Sequence, residues 1–129
     1  MKRVLLDASG LLVWFAADGR GRTMRSEYEQ GVLRVVAHRR IAMQVLAALT
    51  ASGQWPADSL VRVAAEVDRL EFELHEPPID EVAAWMARGL TADQAGNAAL
   101  ASTLDLRLIT DDPEFLRRAG TVADSIADA

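Results

Sequence analysis

Short apolar runs alternate with longer stretches of helical periodicity along this chain, and this alternation constrains the fold more than any other feature. Three runs have the length of buried strands, at residues 3–6, 32–37 and 106–109. Between them, apolar residues recur at helical spacing, which predicts helices at residues 41–51, 79–88 and 91–104. Because short strands that are apolar throughout are typical of sheets covered on both faces, the sequence predicts an α/β fold with a parallel central sheet.

Capping and breaking residues mark the ends of several predicted elements. We expect Ser9 to cap a short helix over residues 11–15, which the segment 18–21 (Asp-Gly-Arg-Gly) breaks before a flexible basic loop. Thr91 and Gln94 have the spacing of a capping box, in which each side chain bonds the backbone amide of the other residue. The sequence therefore predicts a well-defined helix start at Thr91.

Prolines give the remaining boundaries. Pro56 opens a helix with a predicted apolar stripe of Leu60, Val61, Ala64, Val67 and Leu70. Residues 72–75 alternate in polarity and end at two prolines, which predicts a half-buried edge strand. Pro113 starts a final helix that ends near Gly120, and no clear pattern follows it.

Composition bounds the class of protein. The chain has 129 residues, 50% hydrophobic and 26% charged, which suits a single domain with its own core over residues 1–129. It has no cysteine, so disulfides, thiolate zinc sites and a cysteine nucleophile are excluded. No apolar stretch approaches the ~20 residues that a membrane span requires, and the N-terminal run is shorter than a secretory core. We therefore expect a soluble, cytoplasmic protein with no membrane contact.

The basic residues are distributed unevenly. A net charge of −5 argues against binding nucleic acid over the whole surface. However, the first 40 residues hold eight of the 14 Lys and Arg against four acids. This distribution is compatible both with a basic rim beside an acidic pocket and with solvated helical faces.

Three aspartates fall where a parallel sheet gathers its ligands. Asp7 directly follows the first strand, and Asp112 follows the strand that ends at Ile109. If these strands are neighbours, ~4.8 Å apart, the two carboxylates can share one cation at the carboxyl edge of the sheet. Asp93 lies in the first turn of its helix, where the dipole favours an ionised carboxylate. Singly, each aspartate is an ordinary turn or cap residue, and their joint placement favours a site.

Clustered carboxylates repel one another, so such a cluster implies a cation supplied from outside. Ligands that are all oxygen suit Mg²⁺ or Mn²⁺. A bound divalent ion would lower the pKa of a water molecule and polarise a phosphate, which predicts hydrolysis of a phosphodiester.

Three segments of the chain resemble a known family. The stretches RVLLDAS, TADQAGNAALA and LRLITDD look like the acidic motifs of PIN domains, especially those of VapC-type toxins from toxin-antitoxin pairs. The resemblance implies a three-layer α/β/α sandwich that cuts RNA with Mg²⁺ or Mn²⁺ held by Asp7, Asp93 and Asp112. Thr110 matches the family's hydroxyl residue, and Asn97, one turn beyond Asp93, is placed to assist.

The resemblance also implies partners. These are an RNA substrate, a second copy of the chain in a homodimer, and a small antitoxin protein whose basic segment plugs the acidic pocket. We expect single-stranded RNA, since a recessed pocket requires a splayed backbone. The candidate phosphate contacts are Arg20, Arg22, Arg25, Arg39 and Arg40.

One position departs from the family pattern. Where the family has a glutamate on the helix after the second strand, this chain has Gln44, which brings no charge to a cation. Three explanations stay open: an engineered change that silences the enzyme, a natural loss of activity, or recruitment of another acid. The candidates for that acid are Glu27, Glu29 and Asp111.

Two other functions remain as alternatives. Gln44 favours a PIN-fold module that no longer cuts and instead binds an antitoxin-like partner or RNA. A phosphoacceptor receiver domain is also α/β with carboxylates at strand ends, but it expects paired acids near the first strand and a later lysine, which this chain lacks.

The remaining distinctive side chains predict structural roles. His38 and His75 are expected to be structural, and the mechanism needs neither. The tryptophans, Trp14, Trp55 and Trp85, are expected in the core or an interface and not as platforms for base stacking. The apolar positions Leu11, Val13 and Trp14 are compatible with an antitoxin contact or with core packing.

Overall fold

Five parallel strands form one sheet in the computed structural model, which describes residues 1–16 and 19–128. The strands are β1 (Lys2–Leu6), β2 (Leu33–His38), β3 (Glu73–His75), β4 (Leu108–Thr110) and β5 (Ala123–Ser125). Their order across the sheet is β3-β2-β1-β4-β5. The sheet is therefore parallel throughout, as the sequence predicts.

Helices connect the strands and cover both faces of the sheet. In the described residues they are α1 (Ala8–Trp14), α2 (Arg22–Glu29), α3 (Ile41–Ser52), α4 (Ala57–Asp68), α5 (Ile79–Met86), α6 (Ala92–Leu104) and α7 (Pro113–Ala119). A short 3-10 helix follows β5 at Ile126–Asp128. None of these helices combines the length and the apolar character that crossing a lipid bilayer requires.

Alternate side chains of the strands build two separate cores. Val4 and Leu6 point to the face covered by α1, α2, α3 and α4. Leu5 and Val36 point to the opposite face, which α5, α6 and α7 cover. Each fully buried side chain of this kind contributes roughly 1.5–3 kcal/mol. The two cores make the molecule a three-layer α/β/α sandwich, which confirms the predicted fold class.

Several predicted boundaries are confirmed. Gly53 ends α3 in the left-handed conformation, with φ at 66°. Thr91 and Gln94 form the capping box of α6, and α7 begins at Pro113. β3 is an edge strand of the sheet, paired with β2.

Other predictions about the elements are wrong. The predicted basic loop contains helix α2, which packs on the core through Met24. The charged residues around Met24 hide the apolar pattern in the sequence. Asp18 of the predicted break lies outside the described residues. The predicted stripe of α4 is wrong at Val61, which is 70% exposed, and it misses Val63, which is buried in the core. The other four predicted residues are buried or partly buried. The tail contains β5, whose three residues are too few for a periodic signal.

Helix α1 also begins differently from the prediction. The carboxylate of Asp7, and not the hydroxyl of Ser9, caps it by accepting a hydrogen bond from the amide of Gly10 at 2.8 Å. The apolar side chains of this helix at Leu11, Val13 and Trp14 are buried in the core, so core packing is their role within this chain.

Candidate active site

The strand order creates a crevice beside β1. The chain runs outward from β1 through β2 to β3 on one side and from β4 to β5 on the other, so the direction reverses between β1 and β4. Leu6 of β1 pairs with Ile109 of β4 in register. Ligands of open α/β sheets bind outside the carboxyl ends of the strands at such a switch point. Asp7 and Asp112 follow the two strands that flank it.

One cavity of about 160 Å³ lies at this position. Its lining includes the three predicted acids and both predicted amides, namely Asp7, Asp93, Asp112, Gln44 and Asn97. The acids come from three separate parts of the chain: the end of β1, the first turn of α6 and the start of α7. The fold therefore brings together these five side chains, which the sequence predicts as site residues.

Asp7 is buried beneath this cavity. Its Oδ1 accepts hydrogen bonds from Ser9 Oγ at 2.7 Å and from the Gly10 amide, and its Oδ2 accepts one from Thr110 Oγ1 at 2.5 Å. Burial raises the pKa of Asp7, the three hydrogen bonds lower it, and the charge of Asp112 adds to the increase. Ionisation of Asp7 is therefore disfavoured by its surroundings in the chain, and a cation would stabilise the ionised form.

Thr110 and Ser9 both position Asp7, and Ser9 in addition lines the cavity. Thr110 is fully buried, and besides its bond to Asp7 it accepts the amide of Asp112 at 3.1 Å. Ser9 accepts the amide of Asp111 at 2.8 Å while it donates to Asp7. The sequence assigned Ser9 only a capping role, and its position two residues after Asp7 is the signal that could have revealed this contact.

Two amide side chains beside Asp93 have unsatisfied oxygens. Gln44 Nε2 donates to Asp93 Oδ1 at 3.3 Å, and Asn97 Nδ2 donates to the backbone oxygen of Asp93 at 3.2 Å. Gln44 Oε1 and Asn97 Oδ1 are both buried, with no hydrogen-bond partner among the described residues. A buried acceptor without a partner costs roughly 1–3 kcal/mol of stability. A hydrogen-bond donor or a cation next to these oxygens would therefore be favourable.

Asp112 is shared between helix capping and the site. Its Oδ1 caps α7 by accepting the amides of Glu114 at 3.0 Å and Phe115 at 3.2 Å. Its Oδ2 accepts Gln94 Nε2 at 3.2 Å. Gln94, which the sequence identified only as a capping residue, therefore joins the start of α6 to Asp112 across the cavity.

The donor set suits a hard divalent cation that keeps part of its water shell. Within residues 1–16 and 19–128, no three His, Cys, Asp or Glu side chains stand close enough together to hold a metal ion as they are. Mg²⁺, however, usually binds through one or two carboxylates and retains several waters. Three carboxylates around the cavity and the unsatisfied amide oxygens of Gln44 and Asn97 offer direct and water-mediated ligands of that kind.

The predicted basic contacts lie outside the cavity. Arg20 pairs with Asp111 at 2.7 Å in the neighbouring groove, and Arg25 pairs with Glu29 at 3.0 Å and donates to the Trp14 oxygen. Arg22, Arg39 and Arg40 are exposed. None of the five lines the cavity. They form no single rim around it, so a role in binding RNA stays a prediction.

The three acids considered as substitutes for Gln44 do not reach the site either. Glu27 and Glu29 lie on α2, and Asp111 faces Arg20. None of them is among the described residues that line the cavity. Recruitment of another acid in place of Gln44 therefore has no support from their positions.

The histidines and two of the tryptophans occupy structural positions. His38 is buried at the end of β2, and its Nδ1 accepts the Arg40 amide at 3.0 Å. Burial lowers its pKa, which favours the neutral ring. Trp14 and Trp85 are buried as predicted, whereas Trp55 is 42% exposed and so does not lie in the core, which leaves the interface role that the sequence also allows. His75 pairs with Glu73 on the edge strand.

The fold has a counterpart among solved structures. The chain is similar to the crystal structure of PAE2754 from Pyrobaculum aerophilum, with a TM-score of 0.74 and 22% sequence identity. The similarity covers 98% of this chain and 91% of that one. At this identity it shows a shared fold and no more. No protein-family model matches the sequence, and no curated protein matches it.

Proposed function

We propose that this protein is a metal-dependent endoribonuclease that cuts single-stranded RNA, as the resemblance to VapC-type PIN domains implies. One observation carries the proposal: three carboxylates from separate elements line a single cavity at the switch point of a parallel sheet. The unsatisfied oxygens of Gln44 and Asn97 beside them support a cation or a bound water there.

The proposed roles follow from the contacts. Asp7, Asp93 and Asp112 would hold Mg²⁺ or Mn²⁺ directly or through its waters, and the bound ion would supply a water of lowered pKa and polarise the phosphate. Thr110 and Ser9 fix the Asp7 carboxylate through hydrogen bonds to its two oxygens.

The amide oxygens near Asp93 have a separate proposed role. Gln44 Oε1 and Asn97 Oδ1 are free to accept hydrogen bonds from a water and so to orient it. The acidic side chains around the cavity would disfavour a phosphate there, and a bound cation would offset that repulsion at the scissile group.

The partners and the location belong to the same proposal. A homodimer, a small antitoxin protein that plugs the acidic cavity, and a cytoplasmic location are what a VapC-like ribonuclease implies.

The decisive experiment is a cleavage assay on labelled single-stranded RNA, with a duplex of the same sequence in parallel. We expect cleavage of the single strand with Mn²⁺ or Mg²⁺, none with EDTA, and a loss of at least ~10²-fold in Asp7→Asn. Asp58→Asn, an exposed change in the first turn of α4, is the matched control and should cut normally. Metal-independent cleavage, or equal activity of Asp7→Asn and wild type, would contradict the proposal.

The second candidate is a PIN-fold module that binds an antitoxin-like partner or RNA without cutting. The observation that favours it is the neutral amide of Gln44 against Asp93, where a charged ligand is expected. Cleavage that appears only in Gln44→Glu would favour this candidate for the chain as it stands. A receiver domain is disfavoured, because its strand order is 2-1-3-4-5 and this sheet has the order 3-2-1-4-5.

A further inference from the structure

An apolar groove of about 310 Å³ adjoins the acidic cavity. The two share Ser9 and Ala48 in their walls, so they adjoin along these two residues. Phe15 and Trp55 provide aromatic rings in the groove, and the ion pair of Arg20 with Asp111 stands at its polar side. A ligand with a phosphate in the acidic cavity would therefore place the chemical group next to that phosphate in this groove.

The exposure of Trp55 is unusual for its residue type. All three tryptophans lie in the described part of the chain, and two are almost fully buried, whereas Trp55 is 42% exposed. It lies between Gly53, the C-cap of α3, and Pro56, the N-cap of α4. A large aromatic ring held at the mouth of a groove offers a flat face to a planar ligand.

The surface beyond Trp55 carries more arginines than acids. Phe15 and Trp55 also line the next depression, together with Arg25 and Arg62. Arg62 and Arg69 lie seven residues apart on the α4 side, both exposed, and within residues 1–16 and 19–128 neither guanidinium is in an ion pair. Glu29 and Glu66 also line this surface, but Glu29 pairs with Arg25, so Arg62 and Arg69 outnumber the one remaining acid.

We propose that the groove binds a base of single-stranded RNA, stacked against Trp55, and that Arg62 and Arg69 contact the phosphates that follow. This inference rests on the proposed function and names the path of its substrate. Stacking platforms beside unpaired positive charges are the means by which proteins hold single strands. A helical protein partner fits less well, because it needs a longer apolar face than one that ends at Trp55 and gives way to arginines.

The test is direct binding in EDTA, where no cleavage interferes. The probe is a dye-labelled uridine hexaribonucleotide, followed by anisotropy, and in parallel the quenching of tryptophan fluorescence by the unlabelled hexamer. Because Trp14 and Trp85 are buried, we expect the quenching to come from Trp55. Trp55→Ala should weaken binding on the order of tenfold, and Trp55→Phe should retain most of it.

The arginines are tested by salt dependence. Arg62→Ala and Arg69→Ala should each weaken binding and reduce the slope of log K against log salt by about 0.7. Two exposed changes away from the groove are the matched controls. Val61→Ala on α4 and Arg88→Ala on the opposite face should leave both affinity and slope unchanged.

Three outcomes would overturn the inference: no saturable binding by the wild type, binding unaffected by Trp55→Ala, or a shift of Trp55 fluorescence with protein concentration alone, which would indicate a second copy. Failure of the proposed function looks different. If the hexamer binds in a Trp55-dependent way but Mn²⁺ produces no cleavage, the groove assignment stands and the nuclease does not. If the wild type cleaves RNA with Mn²⁺ and Trp55→Ala cleaves it equally well, the nuclease assignment stands and the groove assignment does not.

Discussion

The side-chain amide of Gln44 donates a hydrogen bond to Oδ1 of Asp93 at 3.3 Å, and its own oxygen has no partner among the described residues. A neutral side chain thus occupies the place in the cavity where a second carboxylate would meet Asp93. In the absence of a cation this arrangement relieves repulsion among the acids. It also withholds one negative charge from any metal that binds.

We therefore expect Gln44→Glu to lower the stability of the metal-free protein and to raise its affinity for metal. Without metal, a carboxylate next to Asp93 should lower the free energy of unfolding by about 1 kcal/mol, because like charges meet in a partly buried site. With Mn²⁺, the added charge should raise metal affinity by about tenfold and increase cleavage. Thermal unfolding with and without Mn²⁺, together with the RNA assay, measures both effects.

Gln54→Glu is the control for the Gln44 variant. Gln54 is exposed in the turn after α3 and does not line the cavity. The same chemical change there should alter neither the stability without metal nor the affinity for Mn²⁺. A Gln44→Glu variant that responds to Mn²⁺ no more than Gln54→Glu would show that this position does not contribute to a metal site.

Asp7→Asn should stabilise the protein in the absence of metal. The folded-state pKa of Asp7 is raised, chiefly by burial, so above its ordinary value of 3.8 the folded state carries a cost for ionisation that the unfolded chain does not. Asparagine removes that cost at neutral pH. As the pH falls below the ordinary value, both states of the wild type become protonated and the advantage of the variant should disappear.

Thermal unfolding at pH 7 and at pH 3 in EDTA checks the Asp7 prediction. Saturating Mn²⁺ should reverse the order at pH 7, since the wild-type carboxylate gains a cation that asparagine does not attract. A variant that is less stable than the wild type in EDTA at pH 7 would mean that the hydrogen bonds from Ser9 and Thr110 outweigh the burial of the charge.

Substitutions of Asp112 separate its two roles. Asp112→Ala removes the cap from α7 and should cost about 1 kcal/mol of stability, whereas Asp112→Asn keeps an oxygen for the amides of Glu114 and Phe115 and should cost far less. Both remove the charge and should abolish cleavage. Chemical denaturation and the RNA assay on the same samples distinguish them, and full activity in Asp112→Asn would restrict this residue to capping.

The sequence predicted the layers of the fold and the positions of the acids because those depend on strong, local signals. A buried parallel strand requires consecutive apolar residues, so β1 and β2 were identifiable, and an acid directly after such a strand necessarily falls at the carboxyl edge. The capping box at Thr91 is equally local. The site depends on β1 and β4 being neighbours in the sheet. From the sequence this could only be assumed, since no local pattern determines strand order.

The missed features depend on contacts between distant parts of the chain. Helix α2 is highly charged and is held to the sheet side by Met24, and β5 has three residues and pairs only with β4. The link from Gln94 to Asp112 spans two elements that the sequence separates by a strand. Capping chemistry explained Gln94 fully at the level of sequence, so its second contact gave no separate signal.

Gly10→Ala should disturb both the packing of α1 and the position of Asp7. A Cβ at Gly10 would lie 2.6 Å from Leu6 Cδ1 and 3.0 Å from the backbone oxygen of Ile109, so the first turn of α1 must move away from the sheet. We expect a loss of about 1–3 kcal/mol, typical of overpacking. Because the Gly10 amide donates to Asp7 Oδ1, the shift should also reduce cleavage.

A compensating change tests the cause of that loss. Leu6→Val removes the methyl that a Cβ would meet, so the double variant should recover part of the stability, giving a favourable coupling energy of about 0.5 kcal/mol or more between the two positions. The contact with the Ile109 oxygen remains, so recovery should be incomplete. Strictly additive costs in chemical denaturation would show that α1 accommodates the methyl without pressing on Leu6, and activity should then be unchanged as well.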